Sequence, residues 1–145
     1  MNRVSSPEDL ARVVRDKGVH DERVLAAIEA TPRAQFVPAE RAGAAYIDEP
    51  IPIAHGQVTT QPSLSARLIE GLHLTGGEHV LEIGTGFGFQ TALLAGLAAD
   101  VVSIERWPDM ADEAGRNLAR HGIHNVALLV GDGTCGVPDR APFDV

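Results

Sequence analysis

Apolar side chains near the N-terminus repeat at the spacing of an α-helix in two consecutive stretches. The first stretch follows Ser6 and Pro7, which suit the N-cap and the first position of a helix, and it stops at Gly18. The second follows Asp21, another capping residue, and ends at Thr31-Pro32 because proline disfavours helix in the residue before it. The apolar positions that share a face are Leu10, Val13 and Val14 in the first stretch and Val24, Leu25 and Ile28 in the second. The pattern predicts two short helices.

The periodic pattern breaks off between residues 33 and 62. This stretch is interrupted by Pro38, Gly43, Pro50, Pro52, Gly56 and Pro62. Irregular loops of this length in a compact domain are usually binding loops or lids. We therefore expect this stretch to contribute to a substrate site.

From Pro62 onward, helix and strand patterns alternate. The predicted helices are Pro62 to Leu72, Ala92 to Leu97 and Pro108 to Arg120, and the predicted strands are His79 to Ile83, Val101 to Glu105 and Val126 to Val130. Such alternation predicts an α/β fold with a parallel, doubly wound sheet. Pro142 to Val145 has the pattern of the start of a fourth strand. We expect one domain overall, divided into residues 1–62, the helical and loop extension, and residues 63–145, the sheet.

Composition and charge exclude several classes of protein. The chain has 145 residues, is 44% apolar and carries a formal charge of −8, which disfavours nucleic acid and anionic membranes as partners. Cys135 is the only cysteine, so no internal disulfide can form, and the six histidines show no metal-ligand spacing with acids or with Cys135. No apolar run approaches the length of a membrane span and no leader pattern is visible, so we expect a cytoplasmic protein without a metal.

The strongest chemical signal is the segment VLEIGTGFG, which runs from Val80 to Gly88. A buried strand leads into a loop with glycines at positions 84, 86 and 88, and the helix that follows offers unpaired N–H groups. A dinucleotide fingerprint would need a glycine at position 89, where Phe89 stands. An acid, Glu82, followed by this glycine pattern instead resembles the first motif of class I methyltransferases. A tight strand-to-helix turn of another doubly wound fold is the alternative.

Two further acids follow the next two predicted strands. Glu105 ends the second strand, where an acid of this architecture accepts both ribose hydroxyls, although an exposed acid paired with Arg106 would give the same pattern. Gly131, Asp132 and Gly133 follow the third strand, and Asp132 could accept a hydrogen bond from an adenine amino group. An ordinary Asp-Gly turn explains that segment equally well. Three such elements at three successive strand ends favour a nucleoside-type ligand.

The irregular stretch and its flanks resemble the N-terminal region of protein-L-isoaspartate O-methyltransferases in order and spacing. The segments that carry the resemblance are RAQFVP from Arg33, AYID from Ala45, PIPI from Pro50 and GQVTTQP from Gly56, with DERVLAAIEATPR before them and VLEIGTGFGFQTALLA and GDG after them. The resemblance implies a Rossmann-like class I methyltransferase that uses S-adenosyl-L-methionine and methylates L-isoaspartyl residues of damaged proteins or peptides. Methylation would turn the carboxylate into an ester that can collapse to a succinimide.

The resemblance also implies roles for individual residues. The segment that starts at Gly56 would lie over the cofactor, and Thr60 would take the place of a serine that contacts the substrate carboxylate, which makes it the candidate catalytic residue. The expected cofactor-binding residues are Gln57, Val58, Thr59, Glu82, Gly84, Thr85, Gly86, Gly88, Glu105, Asp132 and Gly133.

The sequence departs from the family pattern within this segment. Val58 replaces the usual threonine, Thr59 the usual Ile or Val, and Thr60 the serine, whereas Ser63 stands where an aromatic residue or histidine is common. Thr60 keeps a hydroxyl, but its methyl group stiffens the rotamer. A related methyltransferase that acts on a dedicated peptide or a small metabolite is therefore an open alternative.

The resemblance further implies a seven-stranded sheet, of which 145 residues hold only three strands and the start of a fourth. A trimmed or proteolytic fragment, a chain completed by self-association through the incomplete sheet, and a non-catalytic S-adenosylmethionine-binding relative all agree with this. The sequence leaves these three explanations open.

Overall fold

The structure, a computed structural model, describes residues 4–145, which form two compact units. The first unit ends at His73 and the second begins at Leu74. The sequence placed the division eleven residues earlier, between residues 62 and 63. The difference arises because the helix that starts at Pro62 packs on the two N-terminal helices and so belongs with them.

The first unit contains the helices α1 (Pro7–Asp16), α2 (Glu22–Ala30) and α3 (Pro62–Gly71). Both predicted N-caps are present, since the Ser6 hydroxyl accepts from the Asp9 N–H at 3.2 Å and the Asp21 carboxylate from the Arg23 N–H at 2.8 Å. Caps of this kind stabilise a helix start by about 1 kcal/mol each. The predicted core side chains of α1 and α2 are buried, except that Val13 is only partly buried, and the unpredicted Ala11 of α1 is buried as well.

The long stretch between α2 and α3 is irregular, as predicted, but it contains short regular pieces. The two-residue strands β1 (Ile51–Pro52) and β2 (Val58–Thr59) pair antiparallel, with Ile51 opposite Thr59. Val37, Ala45 and Ile51 form a small buried cluster beneath the stretch. The loop is therefore a packed structure with its own core.

The second unit is built on three parallel strands in the order of the sequence, β3 (His79–Ile83), β4 (Asp100–Glu105) and β5 (Val126–Val130). The register places Ile83 opposite Ile104 and Glu105 opposite Val130, so the three carboxyl ends share one edge of the sheet. The helices α4 (Phe89–Ala95) and α5 (Pro108–Arg120) pack on these strands. The predicted α/β class with a parallel sheet is confirmed.

The predicted bounds of α4 are wrong. The helix starts at Phe89 rather than Ala92, because Gly88 is its N-cap and accepts from the Ala92 N–H at 2.9 Å. It ends at Ala95 rather than Leu97. The glycine loop therefore leads directly into the first turn of α4.

The last residues run beside β3 on the edge that β4 leaves open. The Asp144 N–H donates to the His79 carbonyl at 2.8 Å, and the Leu81 N–H donates to the Val145 carbonyl at 2.9 Å. Backbone groups alternate in direction along a strand, and Gly84 donates to Ile104 of β4 on the other side. Two backbone hydrogen bonds therefore join the end of the chain to β3, but residues 141–145 form no regular strand, and the sheet of the described residues consists of β3, β4 and β5. The predicted start of a fourth strand is present only as this irregular contact.

Two further properties concern the described part of the chain. Within residues 4–145, no helix has both the length and the apolar character needed to cross a bilayer. Among the same residues, no three His, Cys, Asp or Glu side chains are grouped so that they could hold a metal ion.

Gly133 packs so closely on β3 that we expect no side chain to be tolerated there. A Cβ atom at this position would lie 2.3 Å from Ile83 Cγ2 and 3.3 Å from Ile83 Cδ1. Gly133→Ala should lower the free energy of unfolding by about 1–3 kcal/mol, measured by urea denaturation. Gly77→Ala, whose added Cβ would meet no atom within 4 Å, is the matched control and should change it by less than about 0.5 kcal/mol. Equal unfolding midpoints for both variants would contradict this packing.

Candidate functional site

The glycine loop that follows β3 is the centre of the candidate site. Gly84, Gly86 and Gly88 all have positive φ angles, of 92°, 59° and 94°. Residues other than glycine rarely adopt this backbone conformation, so the turn itself requires glycine at these three positions. The Gly84 position is open, since a Cβ there would meet nothing within 4 Å. The backbone at Gly84 is therefore accessible to a ligand at close range.

Gly88 serves a different purpose in the same loop. A Cβ atom at this position would lie 3.4 Å from Ala114 Cβ and 3.5 Å from Leu118 Cγ, both on α5. The absence of a side chain lets the N-terminus of α4 approach α5. Gly84 keeps space open for a ligand, whereas Gly88 allows helix packing.

Glu105, at the carboxyl end of β4, is hydrogen-bonded to the glycine loop. Its Oε2 accepts from the Gly86 N–H at 2.8 Å, and its Oε1 accepts from the Trp107 N–H at 3.1 Å. A carboxylate has about two acceptor directions on each oxygen, so each oxygen keeps one for a further donor. Glu105 is therefore not the exposed acid paired with Arg106 that the sequence allowed, because it is only 5% exposed.

Glu82 occupies the interior of the unit, where three side chains donate to it. Thr91 donates to Oε1 at 2.5 Å, Ser103 to Oε1 at 2.6 Å and Gln90 to Oε2 at 3.1 Å. Thr85 continues the network, with its hydroxyl 2.6 Å from the Ser103 hydroxyl. The network joins the glycine loop to α4 and β4. In this structure Glu82 and Thr85 therefore hold the shape of the loop, and their predicted contact with a cofactor stays a prediction.

Burial dominates the electrostatics of Glu82. Loss of solvation raises the pKa of Glu82 above its ordinary value of 4.5, and the nearby Glu105 carboxylate acts in the same direction. The hydrogen bonds from Ser103, Thr91 and Gln90 act in the opposite direction without cancelling the effect of burial. Protonation of Glu82 is therefore favoured by the folded state.

The third predicted element, at the end of β5, forms a tight turn. Asp132 is exposed, and its Oδ1 accepts from the Thr134 N–H at 2.9 Å and from the Thr134 hydroxyl at 2.7 Å. The backbone hydrogen bond from Thr134 lowers the pKa of Asp132. Both the ordinary turn and a ligand acceptor fit this geometry, because Asp132 Oδ2 has no partner among the described residues.

Apolar surface lies at the same edge of the sheet. Ile83 and Val130, the last residues of β3 and β5, are 54% and 55% exposed. The Arg106 guanidinium lies 5.2 Å from the centre of the Trp107 ring. The edge therefore combines accessible backbone, acceptor carboxylates and apolar contacts.

The chemistry of this edge suits a nucleoside with a cationic group. The acidic side chains Glu105 and Asp132 would oppose a phosphate electrostatically, whereas carboxylates accept from ribose hydroxyls, amino groups and other donors. Exposed aliphatic side chains such as Ile83 offer apolar surface to a flat base. The residues present fit the nucleoside cofactor that the sequence predicts.

The remaining predicted residues belong to the first unit, on or next to β2. Val58 is 53% exposed and Thr60 is exposed, whereas Thr59 is 8% exposed and points inward. The Gln57 side chain donates to the His55 carbonyl at 3.2 Å. No described residue hydrogen-bonds the Thr60 hydroxyl. Thr60 thus keeps a donor for another molecule, and the inward Thr59 is part of the interior.

Arg33 organises this segment, although the sequence did not identify it as a site residue. It is fully buried, and its guanidinium donates to five oxygens from two parts of the loop: the carbonyls of Ala45, Ile47, Glu49 and Thr60 and the hydroxyl of Thr59, at 2.7 to 3.2 Å. Burial lowers the pKa of Arg33 to about 10, partly offset by the charge of Asp48, so it remains protonated at neutral pH.

Asp48 fixes the other end of the segment. It accepts from the Gln61 amide at 3.0 Å and from the Ser63 N–H, in the first turn of α3, at 2.8 Å, and Lys17 Nζ lies 3.7 Å away. Burial favours the neutral acid, but hydrogen bonds from Ser63 and Gln61 and the charge of Lys17 outweigh it, so the pKa of Asp48 lies below its ordinary value. A carboxylate at a helix N-terminus is also favoured by the helix dipole.

The sequence missed the polar residues that support the site from inside. For Ser103 a signal existed, since a hydroxyl residue stands alone in the buried apolar run from Val101 to Ile104. For Arg33 and Asp48 the signal was weaker, because a charged residue in an irregular stretch is usually solvated.

Comparison with known proteins gives a consistent result. Residues 5–145 match the family model described as Protein-L-isoaspartate(D-aspartate) O-methyltransferase (PCMT). The chain is similar to the protein-L-isoaspartate O-methyltransferase of Methanoculleus marisnigri, with 52% identity over 131 residues that cover 90% of this chain and 60% of that protein. The chain spans about three fifths of the length of such relatives.

Solved structures support the fold. One, titled protein-L-isoaspartate O-methyltransferase, is 32% identical with a TM-score of 0.82 and covers 95% of this chain and 46% of that chain. Another is titled a putative protein-L-isoaspartate O-methyltransferase from Plasmodium falciparum in complex with S-adenosyl-L-homocysteine; its TM-score is 0.72 over 87% of this chain and 63% of that one, and at 22% identity it bears on the fold alone. The predicted Rossmann-like fold of class I methyltransferases is confirmed.

The raised pKa of Glu82 predicts a specific pH dependence of stability. A carboxyl group whose pKa is raised by folding contributes most below its unfolded pKa, and the contribution is lost as pH rises through the folded pKa. Glu82→Gln removes this titration. The variant should therefore gain stability relative to the wild type as pH rises above 4.5, measured by urea unfolding between pH 4 and 8. A Glu29→Gln control, at an exposed position, should show no such trend. A stability difference between Glu82→Gln and the wild type that does not change with pH would rule out the titration.

Proposed function

Because the chain belongs to the protein-L-isoaspartate(D-aspartate) O-methyltransferase family, we propose that it is part of a carboxyl O-methyltransferase that uses S-adenosyl-L-methionine. The proposed substrate is a protein or peptide that carries an L-isoaspartyl residue. The chain spans about three fifths of its relatives' length.

The observation that carries the proposal is the link between the glycine loop and Glu105. The loop is open at Gly84, and the 2.8 Å hydrogen bond from Gly86 to Glu105 joins the ends of neighbouring strands. Ligands of open parallel sheets bind at these carboxyl ends. The groups proposed to hold the nucleoside are the backbone carbonyls of Gly84 and Gly86, whose N–H groups already donate to Ile104 and Glu105, together with the free acceptor directions of Glu105 and the Oδ2 of Asp132. Gly88, Gly133, Glu82 and Thr85 are proposed to shape the loop.

The proposed reaction requires little acid–base catalysis by the protein. When bound, S-adenosylmethionine would supply a methyl group on a cationic sulfur, which a carboxylate oxygen can accept while the bonding pair of the broken S–C bond stays on sulfur. A free carboxyl of the isoaspartyl type has a pKa near 4. It is therefore ionised at neutral pH and needs no general base, so the protein's task is to position it.

Thr60 is the residue proposed to position the substrate carboxylate. It is exposed, it has no hydrogen-bond partner for its hydroxyl among the described residues, and its carbonyl is held by Arg33 at 3.2 Å. A free donor on a fixed backbone suits a carboxylate ligand. Gln57 and Val58, also exposed, are kept as proposed cofactor-side contacts, whereas Thr59 is proposed to act from the interior.

The departures from the family pattern bear on the second candidate function, methylation of a dedicated peptide or small metabolite. The structure offers a structural explanation for Thr59, because its hydroxyl accepts from Arg33 at 2.7 Å. The exposed Val58 and Thr60 are the departures available to a substrate. Comparing methyl transfer to an isoaspartyl peptide and to its aspartyl twin separates the two functions.

The proposed partners and location follow from the same reasoning. We propose a protein or peptide partner and no nucleic acid, since the formal charge is −8. A cytoplasmic location and self-association through the edge of the sheet remain proposals from the sequence.

The first test is calorimetric titration of the chain with S-adenosyl-L-homocysteine. Micromolar binding is expected, and Glu105→Gln should weaken it at least about tenfold because a charged acceptor is lost. The exposed Glu40→Gln is the control and should bind as the wild type does. No binding by a correctly folded chain would contradict the proposed cofactor site, and binding without transfer to any isoaspartyl peptide would leave only a cofactor-binding protein.

The second test concerns Thr60. Thr60→Ala should lower kcat for an isoaspartyl peptide by roughly 10- to 100-fold, the value of a hydrogen bond to a charged group, with binding of S-adenosyl-L-homocysteine unchanged. Thr60→Ser keeps the hydroxyl and should retain most of the activity. Equal kcat values for Thr60→Ala and the wild type would remove Thr60 from the proposed role.

A further inference from the structure

We propose that Arg33 and Asp48 form a clamp that positions Thr60, and that they are positioning residues for the proposed methyl transfer. The inference rests on the proposed function, because it assigns to these residues the task of presenting the Thr60 hydroxyl to a substrate carboxylate.

Arg33 holds the chain at Thr59 and Thr60. Its Nη2 donates to the Thr59 hydroxyl at 2.7 Å and to the Thr60 carbonyl at 3.2 Å. The same guanidinium donates to the carbonyls of Ala45, Ile47 and Glu49. Because the guanidinium is rigid and planar, these bonds fix the distance between residues 45–49 and residues 59–60.

Asp48 holds the segment on the C-terminal side. Its Oδ2 accepts from the side chain of Gln61, the residue after Thr60, and its Oδ1 accepts from the N–H of Ser63. Asp48 lies within the stretch whose carbonyls bind Arg33. Hydrogen bonds of Arg33 and of Asp48 therefore connect the chain on either side of Thr60 to residues 45–49.

The backbone on both sides of Thr60 is held by these hydrogen bonds, whereas the Thr60 hydroxyl itself is available to another molecule. Its hydroxyl is the one polar group of Thr59 and Thr60 side chains without a partner among the described residues, since the Thr59 hydroxyl binds Arg33. Burying a guanidinium costs solvation free energy, and the five oxygens that accept from Arg33 help to offset that cost. A well-packed apolar residue at position 33 could stabilise the fold equally well. The Arg33 guanidinium additionally fixes the relative positions of the groups that it binds.

Thr59 is part of the clamp, and a substitution at this position perturbs the clamp only mildly. Thr59→Val removes the hydroxyl that accepts from Arg33 while keeping the size and branching of the side chain. The variant leaves Arg33 with four carbonyl acceptors, so it should fold. Arg33→Lys is the stronger perturbation, because an ammonium cannot reach five acceptors in a fork.

The test is a double-mutant cycle on methyl transfer to an isoaspartyl peptide. Arg33→Lys and Asp48→Asn should each lower kcat about tenfold in the wild-type background, with binding of S-adenosyl-L-homocysteine changed by less than about twofold. In the Thr60→Ala background the same substitutions should have less than about a twofold further effect, because they act through Thr60. Arg41→Lys and Asp16→Asn, at exposed positions, are matched controls and should leave kcat unchanged in both backgrounds.

An equal loss of kcat in both backgrounds would overturn the proposal, since it would show that Arg33 and Asp48 act on stability or by another route. Amide hydrogen exchange supplies a readout that does not need turnover. Thr59→Val and Arg33→Lys should speed exchange in residues 58–63 several-fold relative to the remainder of the unit. Unchanged exchange there would also overturn the clamp. If the wild type shows no methyl transfer at all, the proposed function fails, but the exchange experiment still decides whether the clamp exists.

Discussion

The parallel pairing of β3 with β4 is the constraint on which the candidate cofactor site depends. Because Ile83 lies opposite Ile104, both strands end at the same edge, and the Gly86 N–H reaches Glu105 at 2.8 Å. The same pairing places Ser103 beside Glu82, so the hydroxyl network beneath the loop follows from the register. A register shifted by one residue would turn Ser103 to the other face of the sheet and leave Glu82 buried without that donor.

In the first unit, buried polar side chains likewise support a loop, here the irregular stretch between α2 and α3. A long loop without regular pairing must satisfy its backbone carbonyls in another way, and here a buried cation does so. Arg33 donates to four carbonyls, and Asp48 satisfies an N–H at the start of α3. The result is a loop with a defined backbone and an exposed threonine, which is the arrangement a binding segment needs.

Much of the fold could be predicted from the sequence because the signals were local. The bounds of β3, β5 and α5 match the predicted ones, since strand periodicity and the prolines and glycines around them agree. The start of α4 could not be predicted from the sequence, because Gly88 is both the last residue of the glycine loop and the N-cap of the helix. The roles of Arg33, Asp48 and Ser103 depend on partners distant in sequence, which no local pattern encodes. Glu82 shows the same limit: the pattern marked it as a ligand residue, and its three donors lie in α4 and β4.

NMR spectroscopy of the backbone amides shows whether the carboxyl edge of β3, β4 and β5 binds a nucleoside. A ¹⁵N-labelled chain titrated with S-adenosyl-L-homocysteine would report each backbone amide. We expect the largest chemical-shift changes in the second unit at residues 84–88, 105–107 and 131–134. Changes confined to other parts of that unit, or none at saturating ligand with a folded spectrum, would contradict it.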